Sequence, residues 1–268
     1  MRVFECLASA AGRLPRSEAR LLLAAAIGRP KEFLIAHPDA ELSDEESLRV
    51  ESFFRRAQAG EPIPYIVGFQ EFWGRPFHVT PATLIPRPDT ETLVEEALAF
   101  LRGKTGARVL DLGTGSGCIA VTLALECPRA SVFACDKSEA ALEAAKENAR
   151  SLDAAVTFSS SDWFGAYAGH TFDLIVSNPP YIEENDEHLK ALAFEPVTAL
   201  TAGANGLDDI RTLASEALNH LKPGGCMLVE HGYNQGEPVR ALFEKAGFSD
   251  VRTIFDLGGR ARVCRAVR

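Results

Sequence analysis

The chain has 268 residues, 46% hydrophobic and 24% charged, enough for one large domain or two modest ones with a sizeable core. Its formal net charge is −9; phosphate backbones attract basic surfaces, so this balance argues against a large nucleic-acid footprint. No apolar run reaches the roughly 18 residues of a membrane span, and Met1-Arg2-Val3-Phe4-Glu5 lacks the basic-then-apolar order of a signal peptide, so a cytoplasmic protein is expected.

The first 60 residues read as helical. Apolar residues recur at helical spacing over Val3 to Ala11 and Ala19 to Ile27. Ser43 with Glu46 forms a capping box before an apolar face of Leu48, Val50, Phe53 and Phe54. This pattern predicts a small helical domain over residues 1–60. Over residues 61–88 six prolines punctuate Tyr65, Phe69, Phe72, Trp73 and Phe77, a density incompatible with a long helix. A linker is expected there, with a hairpin of Tyr65–Phe72 and Arg75–Val79 around Trp73-Gly74.

From residue 89 strands and helices alternate. Strands are expected at 108–112, 131–135, 155–158, 172–177, 226–230, 251–255 and 261–267. Helices are expected at 89–101, 118–126, 139–151, 207–221 and 238–246. Such alternation predicts an α/β domain over residues 89–268: a mostly parallel, Rossmann-like sheet covered on both faces, with ligands beyond the carboxyl ends of its strands. The six cysteines, Cys6, Cys118, Cys127, Cys135, Cys226 and Cys264, form no Cys-x-x-Cys pair and have no histidine at zinc-finger spacing. They read as buried, reduced thiols, and no metal is expected.

The strand at 108–112 runs into Asp111-Leu112-Gly113-Thr114-Gly115-Ser116-Gly117-Cys118. Glycines let backbone turn sharply and approach a ligand, and the helix that follows begins with unpaired amides. A dinucleotide site would carry a third glycine where Cys118 stands. The G-x-G-x-G spacing after an acid instead resembles the S-adenosylmethionine signature, with Gly113, Thr114, Gly115, Ser116 and Gly117 as cofactor contacts. Asp136, ending the next strand, suits a pair of ribose hydroxyls; a helix cap is the lesser, bland alternative. Asp162 and Trp163 follow the third strand, where a carboxylate beside an aromatic can hold and cover an adenine ring. For Trp163 alone, core packing is the commoner fate.

The fourth strand ends in Asn178-Pro179-Pro180-Tyr181. Consecutive prolines fix two φ angles and remove two donors, leaving free carbonyl acceptors, and the Asn178 side chain adds another. An amide or nucleobase amino nitrogen has a delocalised lone pair and is a poor nucleophile. Two acceptors, Asn178 Oδ1 and the Pro179 carbonyl, would fix such an NH₂ in line with a methyl donor. Tyr181 is expected to pack against the planar group with its π face toward the sulfonium charge. Asn178 also borders the expected cofactor site. A proline-stiffened turn with a capping Asn is the bland alternative. A rival of similar geometry, methyl transfer to adenine or guanine in nucleic acid, needs base flipping and extra basic surface. The chain lacks a basic insertion. A non-catalytic binding protein is the other alternative, and the intact Asn178–Tyr181 turn argues against it.

Six segments carry a family resemblance: Leu84-Ile85-Pro86-Arg87-Pro88-Asp89-Thr90-Glu91, Asp111 to Gly117, Ser161-Asp162-Trp163-Phe164, Ser177 to Ile182, Phe194-Glu195-Pro196 and Glu230-His231-Gly232. With them the chain resembles the release-factor glutamine methyltransferases, the PrmC/HemK type, over nearly its whole length. The resemblance implies a seven-stranded methyltransferase sheet with its last strand antiparallel, and S-adenosyl-L-methionine held by Gly113 to Gly117, Asp136 and Trp163. It implies that Asn178, Pro179, Pro180 and Tyr181 bind the glutamine of the Gly-Gly-Gln tripeptide of class-1 peptide-chain release factors. The helical domain would then help dock the release factor. A monomer without a nucleic-acid partner is expected. Arg87 is expected either to pair with Glu91 or to line the pocket, Glu195 to be structural or a substrate contact, and His231 to be structural. The segment Leu189 to Phe194 is shorter than in familiar members.

Overall fold

A computed structural model describes residues 1–268, which divide into two compact units, Met1–Phe69 and Gln70–Arg268. The first unit holds five helices: α1 Val3–Ala10, α2 Arg16–Ala26, α3 Lys31–Ala36, α4 Asp44–Gln58 and α5 Ile63–Val67. Val3, Cys6, Leu22, Leu23, Leu34, Val50, Phe54 and Ile66 meet in its core. The Ser43 capping box is present: Ser43 Oγ accepts from Glu46 N at 3.1 Å, and Ser43 N donates to Glu46 Oε2 at 2.8 Å. Three acids in the first turn of α4 and Arg55 and Arg56 in its last turn suit the helix dipole. Leu48, expected on the buried face, is 67% exposed. Two residues before Val50 is about 200° around a helix, so Leu48 faces away from Val50 and Phe54.

The stretch from Tyr65 was expected to be extended throughout. Instead Ile63–Val67 is a helix with Pro64 in its first turn, a position where proline's missing N–H costs nothing. Gly68, at φ 86°, ends it. The hairpin is shorter than expected, β1 Phe69–Phe72 and β2 Arg75–His78. Trp73 (φ 52°) and Gly74 (φ 68°) both take the left-handed conformation a tight two-residue hairpin needs. Phe72 and Phe77 are buried edge to face at 6.0 Å. Within the second unit, His78 N donates to Asn148 Oδ1 and Trp73 N to Glu91 Oε1, tying the hairpin to two helices.

The second unit is a seven-stranded sheet: β3 Arg108–Leu112, β4 Ser131–Asp136, β5 Val156–Ser160, β6 Phe172–Ser177, β7 Leu221–Glu230, β8 Ser249–Phe255 and β9 Ala261–Val267. The order is β5-β4-β3-β6-β7-β9-β8. Neighbours from β5 to β7 pair in parallel, while β9 is antiparallel to β7 and β8. The expected antiparallel last strand is thus observed. Its helices are α6 Glu91–Leu101, α7 Cys118–Glu126, α8 Glu139–Ser151, α9 Asp208–His220 and α10 Gly236–Lys245.

Side chains alternate across the sheet. Val109, Leu174, Val176, Cys226 and Leu228 join the core with α6 and α7. Leu110, Leu112, Ile175, Met227 and Val229 join the core with α9 and α10. The chain leaves β3 toward β5, then returns to β6 on β3's other side. That reversal opens a crevice at the carboxyl ends of β3 and β6. The register sets Leu112 beside both Cys135 and Ser177, so β3, β4 and β6 deliver their loops at one level. Several boundaries shift by one or two residues, α6 is preceded by a 3₁₀ turn at Pro88–Thr90, and β7 begins at Leu221, five residues before its expected start. The β6–β7 register shifts between Phe172 and Leu174, where Pro223, Gly224 and Gly225 interrupt regular pairing.

Candidate active site

The glycine loop is fixed from beneath. Gly113 N and Thr114 N donate to Cys135 O, each at 2.9 Å, and Thr114 Oγ1 donates to Asp111 Oδ2 at 2.6 Å. Asp111 is fully buried, and desolvation raises its carboxyl pKa to about 7 against the pull of the Thr114 bond. Gly113 stands at φ 70°, and a Cβ there would lie 3.3 Å from the Trp163 ring. A side chain at that position would be strained and would press on the indole.

Asp136 is a hinge between loop and helix. Its Oδ2 accepts from Gly115 N and its Oδ1 from Ser138 N, both at 2.9 Å, and Ser138 in turn caps α8 through Ala141 N. Each carboxylate oxygen keeps a further lone pair, and Asp136 lines the crevice. Trp163 holds a left-handed backbone (φ 46°), stabilised where Ser161 Oγ donates to its carbonyl at 2.9 Å. Asp162, exposed, and Trp163, half-buried, stand together on the crevice wall.

Asn178 follows β6. Its Nδ2 donates to Thr90 Oγ1 at 3.2 Å, whereas Oδ1 is buried and has no partner in the protein. A buried acceptor without a partner costs about 1–3 kcal/mol, so such an atom in a crevice wall points to a missing donor. The Pro179 carbonyl likewise accepts no hydrogen bond from the protein. Tyr181 differs from expectation. Its hydroxyl donates to Glu230 Oε1 at 3.2 Å, its carbonyl accepts from Gln235 Nε2 at 3.0 Å, and its ring packs on the α9–α10 core. Burial pushes its phenol pKa far upward. Tyr181 therefore anchors the turn from behind rather than facing the crevice.

The crevice has a cavity volume of about 120 Å³ and opens to solvent. Its wall brings together Gly113, Thr114, Gly115, Ser116, Asp136, Asp162, Trp163, Asn178 and Pro180. Three expected residues stand outside it. Gly117 packs on α8, where an added Cβ would meet that of Ala145 at 3.0 Å. Pro179 is buried beneath the turn and Tyr181 points inward. A second group of lining residues was not assigned from sequence: Leu84, Pro86, Pro196, Thr198 and Ala199; Arg87, for which the pocket was one of two expected places, lines it as well. Arg87 pairs with Glu195, not Glu91, which instead accepts from Trp73 N. The Glu195 side chain is 2% exposed and also accepts from Ile85 N at 3.1 Å, so one buried carboxylate joins the two proline-bearing segments. Glu195 is thereby structural, while Arg87 both pairs and lines.

Behind Asn178 lies a buried polar group that sequence reading quoted only as motif. Desolvation raises the Glu230 pKa to about 7, opposed by the hydroxyls of Thr90 and Tyr181 and by Arg262. Arg262 bridges Asp89 at 2.5 Å and Asp256 at 3.1 Å. His231 is buried, its Nδ1 beside Gly232 O at 2.8 Å, and desolvation lowers its pKa. Thr90 and Glu230 lie 140 residues apart in sequence, and only the fold joins them.

Residues 90–255 match the methyltransferase small domain family. This sets the class: the fold and crevice are those of a methyltransferase. Residues 2–68 match the PrmC N-terminal domain. The release factor glutamine methyltransferase of Escherichia coli (strain K12) is 45% identical over 256 residues, covering 94% of this chain and 92% of its own. That of Pseudomonas aeruginosa is 48% identical, covering 92% of this chain and 91% of its own. A methyltransferase structure from Pyrococcus furiosus shares the fold with a TM-score of 0.54 and 20% identity, covering 80% of this chain and 96% of its own. The chain belongs to the release factor glutamine methyltransferase family.

Proposed function

We propose that the chain transfers the methyl group of S-adenosyl-L-methionine to the side-chain amide nitrogen of the glutamine in the Gly-Gly-Gln tripeptide of peptide-chain release factors. The observation that carries this reading is Asn178 Oδ1, buried in the crevice wall with no partner of its own.

The residues fit the cofactor. Asp136 retains lone pairs for two ribose hydroxyls beside the turn built by Gly113 and Gly115. Trp163 offers a ring face and Asp162 an acceptor for the adenine. When bound, S-adenosyl-L-methionine supplies a methyl group activated by its sulfonium. Asn178 Oδ1 accepts one N–H of the glutamine amide and the carbonyl of Pro179, whose ring is buried but whose oxygen has no partner in the protein, accepts the other, holding the nitrogen in place and favouring charge on it. A rigid diproline turn costs little reorganisation when charge develops. The proton leaves the nitrogen after methylation, when it has become acidic, and no side chain needs to act as base. Tyr181, tied to Glu230, and Gln235, tied to the Tyr181 carbonyl, hold the turn.

The helices of the first sixty residues are proposed to dock the release factor, with the chain acting as a cytoplasmic monomer. No helix is long and apolar enough to cross a membrane. The net charge of −9 supports a protein rather than a nucleic-acid substrate. The test is methyl incorporation from labelled cofactor into release factor, DNA and RNA in parallel. Label on the release-factor glutamine is expected; label on nucleic acid but not release factor overturns the substrate.

A further inference from the structure

We infer that Thr90 is a positioning residue that fixes which end of the Asn178 amide faces the crevice, and so makes the site select a substrate NH₂ over a carboxylate oxygen. The inference rests on the proposed role of Asn178. The two ends of a side-chain amide have nearly the same shape and differ in hydrogen-bonding sense, so packing alone does not orient them.

Thr90 supplies the sense. It is 2% exposed, and its Oγ1 lies 3.2 Å from Asn178 Nδ2. A hydroxyl has one hydrogen and can also accept, so Thr90 alone would tolerate either end of the amide. Glu230 removes that freedom. Its buried carboxyl accepts from Tyr181 through Oε1, and Oε2, which has no partner of its own, is an acceptor open to the Thr90 hydroxyl that lowers the Glu230 pKa. An acceptor on that side draws the Thr90 hydrogen and leaves a lone pair toward Asn178. Only Nδ2 can meet a lone pair, so Oδ1 is left to the crevice, where it stands without a partner. The reverse orientation would set oxygen against oxygen and aim two donors at the substrate. Such a site would repel an NH₂ and welcome a carboxylate. Thr90 itself is held by the 3₁₀ turn Pro88–Thr90, whose Asp89 is bridged by Arg262.

The experiment compares Thr90→Val, Thr90→Ser, Asn178→Ala and the Thr90→Val/Asn178→Ala double variant of the full chain. Single-turnover methyl transfer to release factor and calorimetric cofactor affinity are measured for each. By analogy with residues that orient metal ligands, Thr90→Val is expected to slow transfer by roughly 10–100-fold. Cofactor affinity should not change, and Thr90→Ser should restore the rate. A release factor with glutamate at the target position should inhibit Thr90→Val more strongly than the unsubstituted enzyme, a gain that mere loosening would not produce. The double variant should be no slower than Asn178→Ala, because the two act as one unit. Wild-type rate in Thr90→Val, equal loss in Thr90→Ser, or multiplying losses in the double variant would overturn the inference. If Thr90→Val fails to bind cofactor, Thr90→Ala replaces it under the same criteria. A full rate in Asn178→Ala would sink the reading of Asn178 and the inference with it. A slow Asn178→Ala beside a fast Thr90→Val would sink only the role of Thr90.

Discussion

At two side chains of the crevice wall, Asp136 and Asn178, what the protein already uses defines what is left for a ligand. Asp136 spends one lone pair of each oxygen on Gly115 N and Ser138 N, so its loss would disturb the glycine loop as well as any ribose contact. Asp136→Ala is therefore expected to weaken cofactor binding; an unchanged calorimetric dissociation constant would contradict this. Asn178 spends its nitrogen on Thr90 and keeps its oxygen. Glu230 and Asp111 are buried carboxyls with pKa values raised to about 7. An exposed carboxyl titrates near 4. Between about pH 4 and 7 the folded chain thus binds more protons than the unfolded chain, and stability falls as pH rises through that window. Glu230→Gln should flatten its share of this slope. Melting temperatures measured from acid to neutral pH check it, and identical slopes in both proteins would count against it.

At the scale of elements, the site is a set of strand ends held at one level, and its loops are held by close contacts rather than by length. The turn after β6 is locked from outside by Gly206. At φ 66°, a Cβ there would lie 2.1 Å from Tyr181 O. Gly206→Ala is expected to cost about 1–3 kcal/mol of stability, the range of overpacking, and to lower activity with it. Chemical denaturation checks this, and unchanged stability would show that the turn can yield. These elements were legible to different degrees. The sheet strands declared themselves through apolar runs between glycine and proline signals, and α7 and α8 matched their expected limits. α5 was hidden because proline reads as a helix breaker although it suits a first turn. α3 is six residues long, too short for a periodic pattern to show. The glycine loop, Asp136 and Asn178 were visible because local spacing carries their geometry. The direction of Tyr181 and the partners of Arg87 and Thr90 were not, because each depends on residues 49 to 108 positions away.

On the scale of the whole molecule, the family assignment joins a helical unit to a methyltransferase unit in one chain. If the helical unit docks the release factor, whole release factor should be methylated with a higher kcat/KM than a short Gly-Gly-Gln peptide. The gain should be roughly 10²-fold or more, the scale of a tethered second contact; equal values would remove the docking role. In the proposed reaction the unpartnered Asn178 Oδ1, with the Pro179 carbonyl, holds the substrate NH₂ for methyl transfer. The most direct test is single-turnover methylation of release factor by Asn178→Ala, with the modified residue identified by mass spectrometry and cofactor affinity measured alongside. The expected result is methyl on the tripeptide glutamine at a rate lower by about 10²–10³-fold, with cofactor binding retained. An undiminished rate, or a fall explained wholly by lost cofactor affinity, would contradict it.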